Sequence, residues 1–110
     1  MLLEPSAESV TGVEFVRWGN EDYEYGTNII QDQKLIENIF GVIEQESVEL
    51  YGNFNNVGQV YCYNDSMQGL TYGLGFIEKD TDYYFFIYSE KIYVLIPREL
   101  GEIISNYFEE

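Results

Sequence analysis

Gly69-Leu70-Thr71-Tyr72-Gly73-Leu74-Gly75-Phe76-Ile77 is the stretch that decides the fold. Leu70, Tyr72, Leu74 and Phe76 share one parity, while Thr71, Gly73, Gly75 and Ile77 share the other. That period of two is the mark of a strand with one large apolar face. The glycines on the second face are compatible with close packing, a bulge or local bending.

Working outward toward the C-terminus, Glu78-Lys79-Asp80-Thr81-Asp82 is a charged connection into Tyr83-Tyr84-Phe85-Phe86-Ile87-Tyr88. Only Ser89-Glu90 separates that run from Lys91-Ile92-Tyr93-Val94-Leu95-Ile96, so the two are expected as antiparallel neighbours. Pro97 suits the first turn of a helix, where its missing amide hydrogen costs least. Leu100, Ile103, Ile104, Tyr107 and Phe108 then recur at helical spacing, with Glu99 and Glu102 near the positive end of the helix dipole.

Toward the N-terminus, Val57 to Tyr63 alternates, with Tyr61 and Tyr63 on one face and Val60 and Cys62 on the other. Val48, Leu50 and Tyr51 suggest a short strand before Gly52-Asn53. Asp32 is placed to cap a helix running to about Gln45, whose apolar side carries Leu35, Ile36, Ile39, Phe40 and Ile43. Gly41 within it is either a tolerated glycine or the mark of a close approach to a strand. Val13, Phe15 and Arg17 alternate with Glu14 and Val16 before Trp18-Gly19-Asn20, and Tyr23-Glu24-Tyr25 follows as the second arm of a hairpin. Acidic residues on one face would keep that hairpin's solvent side hydrated.

The expected class is α+β: a mainly antiparallel sheet with two amphipathic helices, in the approximate order β-β-α-β-β-β-β-β-α. A flexible polar leader is expected over 1–10 and a single acidic domain over 11–110. Asn64-Asp65-Ser66 reads as a turn.

The chain carries 20 Asp and Glu against five Lys and Arg, a formal net charge of -15. The five cations, Arg17, Lys34, Lys79, Lys91 and Arg98, are scattered, which disfavours direct nucleic-acid binding. The opening residues lack the basic and apolar regions of a secretory signal, and no run of about 20 apolar residues suggests a transmembrane helix. A cytoplasmic location is the simplest expectation; an extracytoplasmic one follows if a native signal or anchor was removed. Cys62 is the single cysteine, which leaves no internal disulfide.

With no histidine in the chain, histidine-based triads are excluded, and no phosphate-cradling glycine motif occurs. Glu78, Asp80 and Asp82 form an acidic turn without the spacing of a calcium loop. No catalytic, cofactor or metal residues are assigned, and an enzyme is not expected. The candidate protein-binding residues are Trp18, Glu21, Asp22, Tyr23, Glu24 and Tyr25, because interface centres favour Trp and Tyr while surrounding acids steer a basic partner. The alternative for these aromatics is packing, with Trp18 capping the core. Glu44, Glu46 and Glu49 form a second acidic group. The functional expectation is a small acidic protein-binding module, of inhibitor or immunity type, acting on a basic partner. The runner-up is an extracytoplasmic accessory or ligand-binding domain, and a small enzyme with an uncommon carboxylate mechanism is third.

Overall fold

A computed structural model describes residues 10–64 and 70–109. The leader expected over 1–10 falls outside these residues except for Val10, which is a buried strand residue. The turn expected at Asn64-Asp65-Ser66 likewise lies outside them after Asn64. The chain runs β1 (Val10–Arg17), α1 (Gln33–Ile43), β2 (Asn55–Asn64), β3 (Leu70–Lys79), β4 (Asp82–Ile87), β5 (Ile92–Ile96) and α2 (Arg98–Glu109).

The strands form one antiparallel sheet in the sequential order β1-β2-β3-β4-β5. The expected α+β class is therefore present, and single bridges stand near the two short strands expected at either end of the first helix. One joins Ile30 to Val13 and the other joins Val48 to Tyr93. Tyr23–Tyr25 itself is not a ladder strand. Its backbone turns away because the loop closes over a buried group on β1, as described below.

Register sorts the side chains as alternation requires. Val60, Leu74 and Ile87 follow one another across three strands and Phe76, Phe85 and Val94 follow in the next row, while Val13 joins the same core from β1. All seven are wholly buried with the helices' apolar sides. In α1, Asp32 accepts from the Leu35 amide at 3.2 Å, while Leu35, Ile36, Ile39 and Phe40 turn inward. In α2, Pro97 stands just before the first helical residue and its carbonyl accepts from Gly101 N–H at 2.9 Å. Leu100, Ile104 and Phe108 are buried. Ile103, expected on the buried stripe, is instead exposed, because the helix lies against the sheet on a narrower stripe.

The seat of α2 is aromatic. Phe108 stacks on Phe76 at 5.1 Å between ring centroids and meets Phe15 edge-on at 5.5 Å, and Tyr107 stacks on Phe15 at 4.7 Å. Two glycines allow this approach: a Cβ on Gly101 would overlap the Tyr83 ring, and one on Gly58 would overlap Phe108 and the Val16 carbonyl. Gly41 in α1 differs. An added Cβ there meets nothing within 4 Å, so it marks no close approach.

The two helical glycines should respond oppositely to alanine. Gly41→Ala is expected to raise the unfolding free energy by up to about 1 kcal/mol through helix propensity alone. Gly101→Ala is expected to lower it by about 1–3 kcal/mol by forcing α2 off Tyr83. Urea unfolding followed by circular dichroism measures both.

Candidate functional site

Alternation places Glu14 on the sheet face opposite the helices, beside its β2 partner Tyr61. A glutamate there is expected to be solvated. Instead Glu14 is wholly buried and is the organising group of the region. This burial has a physical cause: residues 19–31 fold back over β1 and supply donors to the carboxylate.

Gly26 N–H donates to both carboxylate oxygens at 2.9 Å, and Asn28 N–H donates to Oε2 at 3.1 Å. Tyr23 Oη donates to Oε2 at 2.7 Å and Tyr63 Oη, from β2, donates to Oε1 at 2.8 Å. Gly26 holds φ of 89°, a left-handed conformation that glycine adopts without the steric cost of a side chain. Downstream, the paired bonds between Val13 and Ile30, at 3.0 and 2.7 Å, fasten the loop's far end to the β1 edge.

Burial by itself pushes the Glu14 carboxyl toward its neutral form, but the bonds from Gly26, Tyr23, Asn28 and Tyr63 outweigh it and hold its pKa below the ordinary value. Burial, followed by the bond to Glu14, moves the Tyr23 and Tyr63 hydroxyls the other way, above the usual tyrosine value. The arrangement is a charged acceptor inside a ring of protonated donors. It is structural in character, with its lone pairs directed at the protein.

The pinned loop carries the residues singled out in the sequence, and it divides them. Trp18 and Tyr25 are 62% and 61% exposed, so neither caps the core. They line a groove of about 350 Å³ together with Arg17, Glu21, Gln59 and Tyr61. Tyr25 meets Tyr61 edge-on at 5.2 Å. Glu21, Asp22 and Glu24 are all exposed around this aromatic patch. Tyr23 belongs to a different environment: it is half-buried, its hydroxyl is committed to Glu14, and its ring meets Tyr25 at 5.7 Å. Tyr23 therefore braces the loop, and Trp18 and Tyr25 are its exposed rings.

Tyr61 and Gln59 were not among the candidates, although both stand on the groove wall. Tyr61 Oη donates to Gln59 Oε1, and burial with the neighbouring Tyr25 pushes the Tyr61 pKa up to about 12. Gln59 Nε2 donates to Tyr88 Oη at 3.1 Å. The Tyr88 hydroxyl in turn sits over Gly75, where an added Cβ would lie 3.1 Å from it. The glycine face of β3 is thus a place of close packing under tyrosine.

The second acidic group is remote from the first. Val48 bridges to Tyr93 of β5, the strand at the opposite edge from β1, so residues 44–49 and the Glu14 loop lie at opposite ends of the sheet. Cys62 is buried on the helix side, and that burial pushes its thiol up to about 12, leaving it protonated at neutral pH. Among the described residues, no group of three or more His, Cys, Asp or Glu is positioned to hold a metal ion. No described helix is long and apolar enough to cross a membrane. Comparison with protein-family models, with curated proteins and with solved structures gives no match to the chain.

Glu14→Gln should expose the loop's dependence on this carboxylate. An amide presents only one oxygen to four donor groups and turns its own N–H toward donors, so a loss of at least about 2 kcal/mol is expected at neutral pH. Because the folded pKa is depressed, the carboxylate's contribution is present above the unfolded value of about 4.3 and disappears as pH falls through the folded one. The stability gap between wild type and Glu14→Gln should accordingly be constant near neutrality and close below about pH 4. Urea unfolding across pH measures the gap, and amide exchange at Gly26 and Asn28 should accelerate in the variant.

Proposed function

We propose that the chain is a binding module, of inhibitor type, that captures a basic protein through the loop pinned over Glu14. The observation that carries this reading is the combination of two exposed rings, Trp18 and Tyr25, with three exposed acids on a backbone anchored by a buried carboxylate. Binding costs fall when the contact surface is already ordered, because little loop entropy remains to be lost. A net charge of -15 adds long-range attraction to a positively charged surface and raises encounter rates.

The roles divide by chemistry. Trp18 and Tyr25 supply desolvated contact area at the centre. Glu21, Asp22 and Glu24 supply steering and orientation at the rim, where solvent exposure keeps each individual ion pair weak. Glu14, Tyr23 and Tyr63 take no part in contact and maintain the loop's shape. A non-catalytic role accords with a sequence that has no histidine and a thiol held in its protonated form.

Affinity capture at low and at physiological salt tests the proposal with three folded proteins: wild type, Trp18→Ala and the triple variant Glu21→Gln, Asp22→Asn, Glu24→Gln. A captured basic protein should associate more slowly with the triple variant, and the difference should shrink as salt screens the attraction. Trp18→Ala should instead speed dissociation, with a loss of about 2 kcal/mol or more for an anchor residue. Capture that is indifferent to all four substitutions, with circular dichroism unchanged, would remove this face from consideration.

A further inference from the structure

At the opposite edge of the sheet the two helices leave a groove of about 1190 Å³ above β5. Val42, Leu100 and Ile103 contribute its apolar surface, with Ile103 46% exposed, and Leu95, between the buried Val94 and Ile96, lines it at the strand edge. Glu37, Glu46 and Glu99 stand on its walls against a single cation, Lys34. Among the described residues, the groove also meets sheet edge that is unpaired beyond a single bridge. Val48 N–H donates to the Tyr93 carbonyl at 2.8 Å, so Tyr93 directs its backbone groups away from β4. Leu95, two residues further along the strand, directs its N–H and C=O the same way. Among the described residues, pairing on this edge is the one Val48–Tyr93 bridge.

We infer that this groove is a second docking site, which takes an extended, lysine- or arginine-bearing segment of a protein as a strand added to β5 at Leu95. The backbone of such a segment pairs with Leu95, as in other cases of strand addition to an open edge. Its long cationic side chains match the groove's two chemistries: aliphatic stems lie along Leu100 and Ile103, and charged heads reach Glu37, Glu46 and Glu99. A second copy of this chain is a poor occupant, because it brings the same acids and a further -15 of charge to the contact. The site lies four strand spacings, each about 4.8 Å, from β1. It is therefore separable from the Trp18 loop.

The test is an amide-resolved NMR titration of the full chain with a capped synthetic peptide of alternating lysine and valine. Two control peptides accompany it: the same sequence N-methylated along its pairing edge, and the same composition interrupted by proline. Saturable shifts at Leu95 and along Glu99 to Ile103, weakened about tenfold or more by N-methylation, are expected. The double variant Glu46→Gln, Glu99→Gln should weaken binding at low salt, while the triple loop variant leaves it unchanged. Equal affinity for the methylated peptide would overturn the strand-addition mode. Shifts confined to residues 18–25, or no saturable binding, would overturn the site.

Discussion

A carboxylate inside a sheet-and-loop interior is tolerable only when its charge is met by donors, because an unpaired buried ion costs far more than a domain's stability margin allows. Glu14 meets that requirement with groups drawn from two distant parts of the chain: Tyr23, Gly26 and Asn28 from the loop, and Tyr63 from β2. The consequence runs through the whole N-terminal half. The loop cannot lift away without stranding the charge, the bridge at Ile30 then covers the β1 edge, and the rings of Trp18 and Tyr25 are fixed relative to Tyr61. The exposed aromatic surface and the interior electrostatics are in this way one arrangement.

The two ends of the sheet solve the same problem unequally. An edge strand presents unpaired amides and carbonyls, which proteins usually cover or blunt. At β1 the covering segment exchanges two hydrogen bonds with Val13 and is held again from below by Glu14. Among the described residues, the cover at β5 is one contact from Val48, followed by Pro97, which ends the strand. Between these ends, α2 is fitted closely to the sheet at Gly101 and Gly58, whereas α1 keeps Gly41 toward open space.

Much of the scaffold was legible from alternation and helical spacing alone. Val60 and Cys62 against Tyr61 and Tyr63, Leu74 and Phe76 against Gly73 and Gly75, and the Asp32 cap all depend on neighbours within a few residues. Glu14 was not legible as a buried group. Parity put it on the face away from the helices, and local rules treat a glutamate there as solvated, whereas its burial depends on a loop returning from up to 14 residues away. The available signal was its setting: one acid between Val13 and Phe15, with two tyrosines on the matching face of another strand. Tyr23 was not separable from Tyr25 by sequence for the same reason. Its sequence context resembles that of Tyr25, and only the fold assigns one ring to bracing and the other to the surface.

Trp18 is the chain's single tryptophan, and most of its surface is in water. An indole usually reports folding because its emission shifts when it moves between apolar packing and solvent. Here the ring is wet before unfolding as well as after it, so the native chain emits much as a denatured one does. Its fluorescence is a poor gauge of whether the domain is intact and a sensitive one of whether anything has settled over the loop.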